Sequence, residues 1–344
     1  MSSYPAARYT GSRTFDVSPA AAVPPGPGDV LIDVAYTGIC GTDLHIFHGD
    51  MDARVTVPAV IGHEMSGRIA ALGADVTGHR VGDAVTVMPL RWCGLCPACQ
   101  AGNSHICHRL DFVGIDSAGA MQRRWAIPAE LLVPLPDGLP LDRAALVEPT
   151  AVAVHDVRRA GVVKGEQAVV VGAGPVGLLI AAVTRDAGAD VVVVEPNEHR
   201  RAFAVKLGLT AVDPAGDVRG FVDKWTAGAG APVVFEVSGA EAGITTAVDL
   251  LATRGRLVLV AIHGQPRPVD LHRFFWRELT LVGARLYDRS DFETAVELVA
   301  AGRVPAAELI SKVVPLSSVA AAFTALESGA AGLMKVLVDC GSDA

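Results

Sequence analysis

Residues 168–194 read AVVVGAGPVGLLIAAVTRDAGADVVVV and are followed directly by Glu195. The apolar run before the glycines predicts a fully buried strand, and the run after them the start of a helix. A second strand follows at 190–194. The G-x-G-x-x-G pattern therefore lies between a strand and a helix, with an acid 18 residues after its last glycine. That is the full context of a dinucleotide-binding turn. Gly172 permits the tight turn, Gly174 lets a pyrophosphate approach the backbone, and Gly177 lets the helix pack on the strand. Pro175 and Val176 complete the turn, and the helix N-terminus offers free N–H groups to phosphate. Glu195 can accept hydrogen bonds from both adenosine-ribose hydroxyls and would repel a 2′-phosphate, which selects NAD over NADP. Arg200 and Arg201 pull the other way, because a nearby arginine accommodates a 2′-phosphate. The competing reading is a glycine turn in an α/β domain that binds no cofactor.

At 344 residues the chain has room for two domains, and its 51% hydrophobic content supplies ample core. A net charge of −8 argues against nucleic acid or a membrane surface as partner. No apolar run reaches the roughly 18 residues of a membrane span. The first residues, MSSYPAARYTGSRTF, hold no apolar signal core, so the expected setting is cytoplasmic. Six cysteines in such a setting read as thiols and metal ligands rather than disulfides.

Upstream of the glycine turn, short strands alternate with Pro/Gly turns and predict a β-rich domain. Cys40, His63 and Glu64 make a set of three zinc ligands with one open position, provided the fold brings them together. Glu148 is a further carboxylate in an apolar stretch, and its alternative reading is a helix-terminus charge. The sharper metal signal is Cys93, Cys96, Cys99 and Cys107. Four thiolates at this spacing can close a tetrahedron around one zinc and leave nothing open, which makes a structural site. An iron–sulfur cluster is the competing reading. It is disfavoured because no proline follows the last cysteine of the run. His105 and His108 are expected to be solvated.

These motifs together carry a resemblance. GICGTDLH at 38–45, GHE at 62–64, VGD at 81–83, the four-cysteine lobe, VEPT at 147–150, HDVRRAGV at 155–162 and VGAGPVG at 171–177 resemble the zinc-dependent medium-chain alcohol dehydrogenases. The similarity is strongest to the sorbitol, butanediol and threonine dehydrogenase branch. It implies an α/β plus β architecture: a GroES-like β-barrel catalytic domain and a Rossmann domain with a doubly wound parallel sheet. The boundaries expected are 1–152 for the catalytic domain with its zinc lobe at 91–108, 153–287 for the Rossmann domain, and 288–344 for a return to the catalytic domain. The active site is expected in the cleft between them. The resemblance implies a catalytic zinc on Cys40, His63 and either Glu64 or Glu148. It further implies a proton relay from Thr42 through the nicotinamide ribose to His45. Val176 would back the nicotinamide, Arg200 would lie beside the adenosine ribose, and Val260, Ala261 and Ile262 would touch the nicotinamide side. Homodimers or homotetramers paired through Rossmann sheet edges are implied as well.

The expected reaction is hydride transfer between NAD(H) and a small secondary alcohol, vicinal diol or polyol. Ile46 stands where sorbitol-type enzymes tend to carry an aromatic, which puts sorbitol itself in doubt. Asp116 reads as a solvated turn residue or a substrate contact, and Arg285 and Tyr287 as residues able to select a polar substrate. The alternatives are a dehydrogenase of an amino alcohol, aminocyclitol, amino acid or sugar derivative, a zinc-free quinone reductase of the same fold, and a non-enzymatic NAD-sensing module. The last two would not need Cys40, His63 and the relay residues. Cys340 has no role and is expected to be a free thiol.

Overall fold

The computed structural model describes residues 3–21 and 23–342, so the outermost residues of the first and last expected segments lie outside the described residues. The chain divides into two compact units. One comprises Met1–Glu148, Asp288–Gly302 and Ala306–Ala344; the other comprises Pro149–Tyr287 and Arg303–Pro305.

The first unit is built around the strand Asp29–Gly38, whose Val30, Ile32 and Val34 are fully buried. It pairs antiparallel with Glu64–Leu72, Arg124–Pro128 and Lys335–Asp339. Gly38 stands opposite Glu64 on one side and Leu337 on the other. This register carries residues from the two ends of the chain to one place. The strand Ala84–Val87 and then Leu132–Pro134 extend the sheet beyond Glu64–Leu72, and Ile310–Pro315 extends it beyond Lys335–Asp339. The cysteine-rich lobe hangs from the short hairpin-like pair Leu90–Arg91 and Asp111–Phe112.

The second unit is a six-stranded parallel sheet. In chain order its strands are β1 (Gln167–Val171), β2 (Asp190–Val194), β3 (Thr210–Val212), β4 (Ala231–Glu236), β5 (Leu251–Leu259) and β6 (Thr280–Gly283). Their spatial order is β3-β2-β1-β4-β5-β6, so the direction of winding reverses between β1 and β4. Parallel strands covered on both faces are apolar throughout, and Val169, Val170, Val193, Val234 and Phe235 are accordingly fully buried. The helix Pro175–Asp186 is buried over Gly177–Thr184.

A helix spans Val147–Ala160, which puts Glu148 in its first turn, where a carboxylate offsets the helix dipole. The helix Glu198–Lys206 buries only Ala204, and Val205 is exposed. A helix this short touches the sheet along one narrow stripe, so most of its apolar residues do not reach the core.

The three glycines of the turn differ in what they face. Gly172 has φ +112, and a Cβ on Gly177 would overlap the Gly172 carbonyl oxygen, whereas a Cβ on Gly174 would meet nothing within 4 Å. Gly177→Ala should therefore cost about 1–3 kcal/mol, as overpacking does, while Gly174→Ala should cost under about 1 kcal/mol. Equal losses in chemical denaturation of the two variants would contradict this packing.

Candidate active site

Cys40 is the N-cap of the helix Gly41–His48, and Asp43 closes that first turn by accepting the Cys40 N–H at 2.8 Å. Asp43 is fully buried, and its other oxygen lies 3.7 Å from Nδ1 of the buried His63. That leaves Nε2 of His63 as the nitrogen available to a ligand, with a carboxylate behind the ring. The Phe112 ring packs on the imidazole with centroids 4.9 Å apart. Cys40, His63 and Glu64 each offer a ligand atom within 4.8 Å of the other two.

The electrostatics call for a cation. Burial works to lower the His63 pKa, yet Asp43, Cys40 and Glu148 hold it well above the ordinary imidazole value. Burial raises the Asp43 carboxyl despite His63 and the Cys40 N–H. Asp43 Oδ1 and His63 Nδ1 are both buried without a full hydrogen bond. A dication on Cys40 and His63 would offset this surplus of negative charge, so the donor set fits zinc.

Glu64 is already partnered. Its two oxygens lie 2.8 and 2.7 Å from Lys335 Nζ, which also donates to the Ile39 carbonyl at 3.1 Å. Both side chains are buried. A Cβ on Gly38 would overlap Glu64 Oε2, so this register needs a glycine there. Burial would lower the Lys335 ammonium, but Glu64 foremost, with Cys40 and Glu148, holds it above its usual value. Glu148 is buried too. Thr42 is half-buried, and His45 Nδ1 lies 2.9 Å from Asp50 Oδ2. Ile46 is fully buried.

In the lobe, the Sγ atoms of Cys93 and Cys107 are 3.5 Å apart, those of Cys96 and Cys99 3.5 Å, and those of Cys96 and Cys107 3.8 Å. Four thiolates at about 2.3 Å from one zinc stand about 3.8 Å from each other, whereas a disulfide needs about 2.05 Å. Backbone N–H groups of Leu95 and Cys96 point at Cys93 Sγ, His108 at Cys96 Sγ, and Arg109 at Cys107 Sγ. The Leu95 N–H foremost pulls the Cys93 thiol down to about 6, which favours the thiolate a metal needs, whereas burial foremost pushes Cys99 up to about 11. The lobe fits zinc as well.

His105 is a correction. It is buried, with Nδ1 2.9 Å from Asp288 Oδ1, so it ties the lobe to the start of the helix Arg289–Ala300. His108 is exposed as expected. Asp116 is not simply solvated: Arg54 donates to it through Nε and a terminal nitrogen at 2.6 and 2.5 Å, and it accepts the Phe112 N–H at 2.8 Å. Tyr287 is fully buried, and Arg285 is exposed. Cys340 is a buried free thiol pushed up to about 12 by burial.

In the second unit Gly174, Pro175 and Val176 are half-buried at the start of the helix Pro175–Asp186, with open space before Gly174. Glu195 accepts the Ala173 N–H at 2.6 Å and the Asn197 N–H at 2.9 Å, which bridges β2 to the glycine turn. Arg201 donates to the Glu195 carbonyl and pairs with Asp213 at 2.8 Å, so it serves the fold. Arg200 remains exposed beside them. Val260 and Ala261 are half-buried just after β5. Among the described residues no helix is long and apolar enough to cross a membrane.

Comparison with known proteins agrees with this geometry. Residues 26–137 match the alcohol dehydrogenase GroES-like domain, and residues 175–301 match the zinc-binding dehydrogenase family. The chain is 49% identical to the 2-dehydro-3-deoxy-L-galactonate 5-dehydrogenase of Pseudoalteromonas atlantica, over 98% of this chain and 99% of that one. It is 34% identical to the D-xylulose reductase A of Aspergillus niger, over 88% of this chain and 87% of that one. The crystal structure of the 2R,3R-butanediol dehydrogenase of Bacillus subtilis superimposes with a TM-score of 0.89 at 30% identity, covering 98% and 99% of the two chains.

Lys335→Met would leave the Glu64 carboxylate buried without its cation. It should cost about 3–5 kcal/mol in chemical denaturation, and Lys335→Met with Glu64→Gln should recover most of it. Because the amine's folded value is raised, its contribution is full below the unfolded value and is lost only as pH rises through the folded one. The loss should therefore be constant across neutral pH. A cost below about 1 kcal/mol would contradict the pairing.

Proposed function

The chain belongs to the zinc-dependent medium-chain alcohol dehydrogenase family, and we propose that its substrate is a sugar acid, a polyol that also carries a carboxylate. The enzyme is an oxidoreductase that transfers a hydride between NAD(H) and a secondary alcohol, diol or polyol. The observation that carries the sugar-acid reading is 49% identity, over nearly the whole of both chains, to a relative named for a 3-deoxy-2-ketoaldonate. A neutral polyol is the second reading, favoured by the D-xylulose reductase at 34%.

In this reading Cys40, His63 and a glutamate hold the catalytic zinc, and Cys93, Cys96, Cys99 and Cys107 a structural one. The engagement of Glu64 by Lys335 favours Glu148 as the third ligand at rest. Bound there, zinc supplies a Lewis acid that lowers the pKa of a substrate hydroxyl. The Thr42 hydroxyl would accept the substrate hydroxyl proton while giving up its own to the relay, and the half-exposed His45, oriented by Asp50, would pass one proton on to water. Asp43 keeps His63 aimed at the metal. Gly172, Gly174, Pro175, Val176 and Gly177 take the pyrophosphate of NAD. Glu195 and Arg200 take its adenosine half, and Val260 and Ala261 the nicotinamide side.

The reading includes a homodimer through the free edge of β6, which pairs only with β5 among the described residues. Leu271, Phe275 and Trp276 on the preceding helix and Leu281 on β6 itself are exposed, and exposed apolar side chains beside a free strand edge suit an interface. The six unpaired thiols suit a cytoplasmic setting.

The test is NADH formation by the purified protein on matched panels of sugar acids, neutral polyols and vicinal diols. The sugar acids should lead in kcat/KM by about tenfold or more, the effect of one charged contact, and Cys40→Ser should abolish turnover of all three. A neutral polyol that outruns every sugar acid would overturn the carboxylate reading and leave the dehydrogenase standing.

A further inference from the structure

The loop after β5 is held by one buried residue. Glu236, fully buried at the end of β4, accepts the N–H groups of Val260 and Ala261 on its carbonyl oxygen at 3.0 and 3.2 Å. Its side chain reaches the same loop again, with Oε2 3.0 Å from His263 Nε2. Its Oε1 accepts the Ser238 N–H at 2.9 Å, the Gly239 N–H at 3.1 Å and the Ser238 hydroxyl at 2.5 Å. A carboxylate surrounded by donors is an acceptor, so Nε2 of His263 carries the hydrogen and donates it. Nδ1 is then left buried with no hydrogen-bond partner among the described residues, which is costly. The orientation of the ring is thus set by Glu236 and kept despite that cost. The rest of the loop has little else to hold it, since Ile262, Gly264, Gln265 and Pro266 are all exposed.

The position of this contact matters. Dinucleotides bind where the strand order reverses, here between β1 and β4. Val237 donates to the Val171 carbonyl at 3.0 Å, and a Cβ on Gly172 would stand 3.1 Å from the Ser238 nitrogen. The turn ordered by Glu236 therefore packs on the glycine turn itself. Glu195, the adenosine-side acid, lies at the end of β2 on the opposite side of β1. The β4–β5 side is left for the other half of the dinucleotide.

We infer that Glu236 and His263 form a latch that positions loop 260–264 for the nicotinamide-riboside half of the coenzyme. His263 is a positioning residue that acts through the loop. The inference rests on the coenzyme reading above.

Calorimetric titration of the zinc-loaded protein with NADH, and with AMP as a probe of the adenosine half alone, tests it. His263→Ala should weaken NADH about two- to tenfold, the range for one lost hydrogen bond, and leave AMP unchanged. His263→Gln, whose amide can still donate to Glu236, should restore NADH binding to within about twofold of the parent. Parallel weakening of NADH and AMP would show a general structural role and overturn the latch, as would unchanged NADH affinity in the alanine variant. Failure of the unsubstituted protein to bind NADH would overturn the coenzyme reading itself.

Discussion

Buried negative charge is the constraint on which the rest of this molecule depends. Cys40, Asp43, Glu64 and Glu148 lie in or around one small region of the barrel unit, and three of them are carboxyl groups buried almost completely. An unpaired buried charge is among the most destabilising features a protein can carry. Lys335 supplies one permanent cation, and it sits on Glu64. The remaining surplus falls on His63, where, against the opposing effect of burial, Asp43, Cys40 and Glu148 raise the imidazole pKa. The same surplus is what a zinc ion would neutralise on Cys40 and His63. The site is best understood as a charge balance completed by a metal.

The barrel exists to assemble that balance. Cys40 lies two residues past the strand Asp29–Gly38, His63 immediately precedes its neighbour and Glu64 begins it, and Lys335 begins its other neighbour. Gly38 lies between the two flanking strands, and its missing side chain is the space that Glu64 occupies. The parallel-sheet unit solves a different problem. It places the ends of β1, β4 and β5 around the reversal in strand order, and Glu195 and Glu236 each bind a turn from opposite sides of β1. Acids thus organise both units. In one they await a cation, and in the other they order backbone N–H groups.

What could be read from the sequence follows the range of the interactions. The glycine turn was legible because strand, turn, helix and acid are contiguous, and Gly172 and Gly177 answer to local steric needs. The cysteine lobe was legible because its ligands fall within 15 residues, from Cys93 to Cys107. The grouping of Cys40 with His63 and Glu64 needed the family resemblance, since spacing alone left it open. Lys335 was invisible, because its partner lies 271 residues away and only strand register joins them. Asp43 carried a faint signal, as an acid at the third position of a helix that Cys40 begins. His105 was misread because its partner, Asp288, comes from a segment that returns to the barrel after the whole parallel sheet.

The central claim is that one chain carries two zinc environments, one of thiolates alone and one mixed. X-ray absorption at the zinc edge of the purified protein tests this most directly. The account predicts sulfur at about 2.3 Å together with nitrogen or oxygen at about 2.0–2.1 Å. The sulfur share should correspond to four lobe cysteines plus Cys40, spread over two ions. A shell of sulfur alone would contradict the account, because it would leave the Cys40 and His63 site without its metal.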